Sequence, residues 1–332
     1  MKSLAVKLLN DFQRDFPLHS TPFAQIARRL DTSYEVVLQE LKALKEKGAV
    51  SRVGPVFRPN TIGASTLAAM SVPADRLEAV ATVINRFPQV NHNYEREHAY
   101  NLWFVVTAEN QPMLEQTLNE IRLETGYPLL LLPLVRDYHI DLGFPMNLGS
   151  QDEIVSAGDS NPQAHAARQR ESLFGSVEDL IQVIQGGLPL VARPYRDVAN
   201  RLGCSEQAVI NRLQEMIDAG IIKRLGVVVR HHELGYRSNA MVVWDVPDDQ
   251  VDALGSRLGQ QDCVTLCYQR PRRLPAWQYN LFCMVHGRDR DDVLACIDRM
   301  AEGLGLEQLP HAVLFSGRRF RQRGALYRGC HW

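Results

Sequence analysis

The sequence predicts an α+β chain built by tandem duplication, each copy a winged helix-turn-helix followed by a ferredoxin-like βαββαβ sandwich. Three observations predict it. Residues recur in order at one fixed offset; three helix-like segments precede a short strand signal in each half; and each half then changes its hydrophobic period.

A shift of 172 positions aligns Pro17-Leu18 with Pro189-Leu190, Ala27 with Ala199 and Arg29-Leu30 with Arg201-Leu202. It also aligns Val37 with Val209, Leu41 with Leu213, Gly48 with Gly220, and Arg52-Val53-Gly54 with Arg224-Leu225-Gly226. Arg58 with Arg230 and Gly63 with Gly235 continue the series. After small insertions in the second copy, Val72-Pro73 meets Val246-Pro247, Tyr94-x-Arg96 meets Tyr268-x-Arg270, and Tyr100-Asn101-Leu102 meets Tyr279-Asn280-Leu281. Chance does not produce so many ordered matches.

In the first copy Leu4, Leu8 and Phe12 recur at helical spacing. Thr21-Pro22 suits a helix start, with Thr as cap and Pro at the first helical position. Thr32-Ser33-Tyr34-Glu35 has the spacing of a capping box for a helix whose apolar face carries Val37, Leu41 and Leu44, and Gly48 stops it. Val50–Val53 and Val56–Arg58 are expected to form a wing hairpin around Gly54-Pro55. Strands are then expected at Ser65–Pro73, Val90–Arg96, Asn101–Ala108 and within Leu129–Ile140, with helices at Ala74–Arg86 and Pro112–Glu124. That order is the split βαββαβ motif. The expected boundaries are 1–62 and 173–234 for the winged helices, 63–146 and 235–332 for the sandwiches, and 147–172 for a polar linker, helical near Ala164–Arg170.

The 332 residues carry a formal net charge of −1, with 45% hydrophobic and 23% charged side chains. That balance provides no bulk attraction for nucleic acid. No apolar run approaches the roughly 18 residues that span a bilayer. The N-terminal segment is amphipathic, with Asp11, Arg14 and Asp15, so a cytoplasmic protein without membrane contact is expected. Cys204, Cys263, Cys267, Cys283, Cys296 and Cys330 all lie in the second half. Cys263 and Cys267 would share a strand face, but no second pair completes a metal site, so reduced, mostly buried thiols are expected.

A winged helix followed by such a sandwich resembles the Lrp/AsnC regulators, and the resemblance spans nearly the whole chain, twice. A DNA-binding regulator sensing a small ligand is therefore the alternative reading. Its recognition helices would present Ser33, Tyr34, Glu35, Leu38 and Gln39, or Ser205, Glu206, Gln207 and Asn211, with Arg212 the one obvious cation. Carboxylates at Glu35, Glu40 and Glu206 oppose phosphate, so nucleic acid is not the expected partner. The Gly-Asp pair and Tyr-Asp run of the regulators' amino-acid-binding turn are also absent.

In their place stands His92-Asn93-Tyr94-Glu95-Arg96-Glu97-His98-Ala99-Tyr100-Asn101-Leu102-Trp103. This stretch, above all Tyr-Asn-Leu-Trp followed by Phe104-Val105, resembles the siroheme decarboxylases, and Tyr279-Asn280-Leu281-Phe282 fits the partner subunit. The chain thus looks like the two-subunit form fused head to tail, an intramolecular pseudo-dimer, with homodimerisation of whole chains left open. The resemblance implies a carboxy-lyase that takes two acetate carboxylates from siroheme to give 12,18-didecarboxysiroheme, toward the haem of denitrifying nitrite reductase. It implies no added cofactor, because the iron arrives within the tetrapyrrole substrate.

Such a substrate requires cationic forks for carboxylates, aromatic faces for the ring, and a proton donor. Arg96, Arg136, Arg270, Arg272, Arg273, Arg318 and Arg319 cluster near the hairpins and final strands and suit bidentate grip. Tyr94, Tyr100 and Trp103 offer ring faces. His92, His98 and His139 are the candidate acids near neutral pH, and one of them, His98 first, could instead meet the substrate iron. His92 and His98 correspond to Leu266 and Trp277 in the second copy, which gains the insertion Pro271–Ala276. A division of labour follows: copy one holds the proton donor, and copy two contributes clamps.

Overall fold

The computed structural model describes residues 3–59, 61–140, 176–229, 238–325 and 327. The expected linker at 147–172, its helical turn and Cys330 lie outside the described residues. Copy one runs α1 (Leu4–Asp11), α2 (Pro22–Arg29), α3 (Tyr34–Glu46) and β1 (Val50–Phe57). It continues through β2 (Ala64–Met70), α4 (Leu77–Arg86), β3 (Val90–Arg96), β4 (Leu102–Ala108), α5 (Gln111–Thr125), β5 (Leu130–Pro133) and β6 (Arg136–Ile140). Copy two begins with α6 (Val177–Ile184), α7 (Pro194–Leu202), α8 (Glu206–Asp218) and β7 (Ile222–Val229). It ends with β8 (Ser238–Trp244), α9 (Val251–Gly259), β9 (Val264–Gln269), β10 (Leu281–Gly287), α10 (Arg290–Leu304) and β11 (His311–Gln322). These elements fall into two compact units, and neither unit is a sequence copy: one gathers the helix-turn-helix segments of both copies, the other both sandwiches. No helix among the described residues is long and apolar enough to cross a membrane.

Local signals explain the helices. Ser33, one residue after the expected Thr32, caps α3 by accepting from Val36 N at 3.4 Å. Thr21 occupies the cap of α2, but its hydroxyl turns to His19 Nδ1 instead of the helix. Gly48 and its counterpart Gly220 take φ of 79° and 69°, the left-handed stop that favours glycine. The wing hairpin does not form. β1 is one strand, antiparallel to β7 of the other copy, with Gly54 opposite its own counterpart Gly226. A Cβ on Gly54 would lie 2.9 Å from Gly187 Cα, and one on Gly226 would lie 2.1 Å from Gln13 O. These glycines therefore serve close backbone approach, and the turn signal was misleading.

The second unit contains a nine-stranded sheet in the order β5-β2-β4-β3-β11-β8-β10-β9-β6. Its edge strands β5 and β6 are separated in sequence only by Leu134 and Val135, so one segment joins both edges and the sheet curls on itself. The last strand of each copy crosses to the other. β6 pairs with β9, while β11 pairs first with β8 and then with β3. Tyr138 accordingly packs into the helix-covered core of copy two, and Phe320 into that of copy one. Cys263 and Cys296 are joined as a disulfide between the start of β9 and α10, which corrects the expectation of reduced thiols there. Cys204, Cys267 and Cys283 are free.

Candidate functional site

The inward face of the curled sheet gathers residues of both copies, among them Leu67, Trp103, Met241, Tyr268, Trp277 and Phe282. Each copy pins its hairpin there with the Asn of the repeated Tyr-Asn-Leu. Asn101 accepts from Val72 N at 3.0 Å and donates to Val72 O at 2.8 Å. Asn280 does the same to Val246, at 2.9 Å in both directions. The repeated Val-Pro and Tyr-Asn-Leu signals are thus two ends of one clamp, and this Asn is structural.

Arg96 and Arg270, also repeat partners, reach across to the opposite copy. Arg96 donates to Leu314 O at 3.1 Å and Ser316 Oγ at 3.0 Å, and Arg270 donates to Leu132 O. Arg270 lies over the Tyr268 ring at 4.5 Å. Burial lowers the pKa of both guanidinium groups, Arg96 to about 10, and each keeps a buried Nε without a partner. No carboxylate pairs with either among the described residues. They hold the copies together, so the structure does not present them as open carboxylate forks.

His98, half-buried in the turn after β3, stands in an aromatic wall. Its Nδ1 accepts from Tyr100 N at 3.0 Å, so the neutral ring carries its proton on Nε2. Tyr100 stacks beside it at 6.3 Å, and Trp277 of copy two meets it edge-on at 5.5 Å. Trp277 touches Trp103 at 5.3 Å, Tyr279 at 5.0 Å and Phe282 at 6.0 Å. Trp103 in turn donates from Nε1 to Tyr100 O at 2.6 Å. Burial holds His98 below the ordinary histidine pKa, favouring the neutral ring.

His92 and Tyr94 stack at 6.3 Å further along β3, with Gln322 and Arg319 opposite them in the ladder. Arg96 lies four positions beyond His92, about 13 Å of strand, so His92 and His98 do not meet at one point. His139 lies elsewhere: its Cβ sits beside Gly259 on α9, on the helix-covered face of the sheet. Arg136, nearby, pairs with Asp252 of α9, which also accepts from Tyr138 Oη at 2.6 Å.

The remaining cations are largely engaged. Arg272 binds Asp245, Asp248 and Val246 O. Arg318 pairs with Glu95 at 2.7 Å and Glu78 at 3.4 Å, the counterpart of Arg136 with Asp252. Arg319 donates to Gln322 Oε1 at 3.1 Å. Arg273 is exposed and donates through Nε to Leu131 O at 3.0 Å. Thus His98, Tyr100 and Trp103 come together, as do His92, Tyr94 and Arg319, while His139, Arg136 and Arg272 stand apart. Trp277 was absent from the expected site, although its alignment opposite His98 was the available signal.

Fold and site define a duplicated ligand-binding module of the AsnC type: residues 62–139 and 233–321 match the AsnC-like ligand binding domain. Residues 6–50 and 178–223 match the siroheme decarboxylase NirDL-like HTH domain. The siroheme decarboxylase NirDL subunit of Paracoccus pantotrophus is 44% identical over 328 residues, 98% of each chain. A crystal structure of the siroheme decarboxylase NirDL superposes with a TM-score of 0.70 at 27% identity, covering 98% of this chain and 94% of that one. A second, in co-complex with an iron-uroporphyrin III analogue, superposes at 0.66 with 26% identity over 97% and 93%. The chain belongs to the siroheme decarboxylase family, in the fused two-copy form; it is a carboxy-lyase, and the regulator reading is not retained.

Proposed function

We propose that the chain removes the carboxylates of two acetate arms of siroheme to give 12,18-didecarboxysiroheme, acting in the cytoplasm on the route to the haem of nitrite reductase. The iron enters with the substrate, and no resident cofactor is required. In each step the bond between the methylene and carboxylate carbons breaks, carbon dioxide leaves, and the electron pair stays on the methylene conjugated with the macrocycle. A proton then closes the new C–H bond, leaving a methyl group.

The single observation that carries the residue assignment is the position of His98, tethered at Nδ1 and walled by Tyr100, Trp103 and Trp277. Carboxylates brought by the substrate favour the charged imidazole, so loading draws a proton onto the ring. Protonation at Nδ1 gives up the Tyr100 N–H bond, and the Nε2 proton goes to the methylene. His92 with Tyr94 and Arg319 forms a second polar station along β3, suited to orienting another arm of the same macrocycle. Arg273 at the exposed turn suits a peripheral carboxylate.

Anaerobic incubation of the purified chain with siroheme is expected to release two carbon dioxides per macrocycle, followed by product mass. An unchanged mass after hours would overturn the assignment. Porphyrin binding without turnover would reduce the chain to a carrier.

A further inference from the structure

The insertion of copy two, Pro271–Ala276, runs directly into Trp277, which the steps above use only as part of the wall around His98. Two neighbouring carbonyls of β5 in copy one anchor this insertion, Leu132 O accepting from Arg270 and Leu131 O from Arg273. Arg272 ties the same stretch back to Asp245 and Asp248. Arg273 and Trp277 then close a turn over Leu274–Ala276 with paired backbone bonds of 2.7 and 2.8 Å. The turn is exposed, yet Trp277 retains only 2% exposure. Its indole N–H is sealed without an acceptor, so hydrogen bonding does not account for a tryptophan here. Its ring contacts do: beside Tyr279 and Phe282 of its own copy, three of them cross to His98, Tyr100 and Trp103 of the other.

We propose that Trp277 is a positioning residue, carried across the copy boundary by the arginine-anchored insertion to hold the His98 imidazole in line for proton delivery. The proposal rests on the reading that His98 supplies the proton. It addresses a mechanical need of that reading: charging the ring at Nδ1 forfeits its bond to Tyr100 N, and the T-shaped contact with Trp277 does not depend on which nitrogen carries the proton. Copy two thereby lacks an acid at the position equivalent to His98 and uses that position to support the acid of copy one.

The test compares steady-state kinetics of the full chain on siroheme, without oxygen, for Trp277→Leu and Trp277→Phe. A misplacement of about 1 Å costs roughly 10²-fold, so Trp277→Leu is expected to lower kcat by about 10- to 100-fold with KM within about threefold. Trp277→Phe keeps an aromatic edge and should restore kcat to within about threefold, even though the smaller ring lowers the melting temperature. A Trp277→Leu chain with wild-type kcat overturns the proposal. So does a loss of kcat in both variants that merely follows melting temperature. Should the leucine chain not fold, Arg273→Gln loosens the anchor from the exposed side; an unchanged kcat there overturns the proposal as well. His98→Gln separates the two readings. Full activity in that variant removes the His98 assignment and the positioning role with it. An inactive His98→Gln beside a fully active Trp277→Leu removes the positioning role alone. In the His98→Gln background, Trp277→Leu is expected to add no further loss.

Discussion

The hairpin of copy one and the hairpin of copy two occupy equivalent places in one curled sheet, and they have been put to different uses. Both are pinned by an Asn that clamps a Val backbone, and both send a buried Arg to a backbone carbonyl of the opposite copy, Arg96 to β11 and Arg270 to β5. Where copy one places His98 and a short turn, copy two places Trp277 and an anchored insertion. The shared residues maintain the architecture, and the differing ones carry the chemistry. A duplicated scaffold can therefore hold one acid in an environment that two identical halves would not create.

Substitutions can break this comparison. The largest effect is expected at His98: His98→Gln should lower kcat by about 10²- to 10⁴-fold, the range of a lost general acid, read from product mass over time. Next come the reciprocal arginines. Arg96→Ala and Arg270→Ala each leave a buried carbonyl unpaired and a cavity, and should each cost about 2–4 kcal/mol in urea unfolding. A clear inequality between them would mean that the two crossings are not equivalent. Asn101→Ala and Asn280→Ala remove two hydrogen bonds apiece and should each cost about 1–3 kcal/mol.

The pH dependence sharpens the difference between the copies. Burial holds the His98 pKa below its unfolded value near 6.5. Between those two values the unfolded chain binds the extra proton, so the contribution of His98 to stability is present above the unfolded pKa and is lost as pH falls from it toward the folded one. Wild type should lose stability relative to His98→Gln as pH drops from about 7.5 to 5.5; parallel curves would deny the burial effect. The smallest change is expected at the exposed pairs. Arg136→Ala should cost about 0–1 kcal/mol and Arg318→Ala should leave the unfolding midpoint nearly unchanged, because solvent screens both.

Much of this architecture was readable from the chain itself. The fixed offset exposed the duplication, and the change of hydrophobic period after residue 63 gave the sandwich elements in order, because both signals are local. What remained hidden depended on partners distant in sequence. Gly54-Pro55 reads locally as a turn, and only the presence of Gly226 across from it makes it the middle of one continuous strand. Arg96, Arg270 and Arg272 read as open carboxylate forks because sequence does not reveal which carbonyls and acids their donors meet. His139 looked equivalent to His98 by residue type, yet strand exchange carries it to the face covered by α9. Trp277 was visible as the aligned opposite of His98, but contact between counterpart positions follows only once the copies close around a common axis.

The exchange of final strands also sets a timetable for the nascent chain. Arg96 and Ser316, which bond in the finished protein, are 220 positions apart. At about 5–20 residues per second of synthesis, that separation is roughly ten to forty seconds. Throughout that interval the edge of β3 and the helix beside it wait for a strand not yet made. The first half of the polypeptide leaves the ribosome as an unfinished sheet, in need of protection from other nascent chains until its own C-terminal segment arrives to close it.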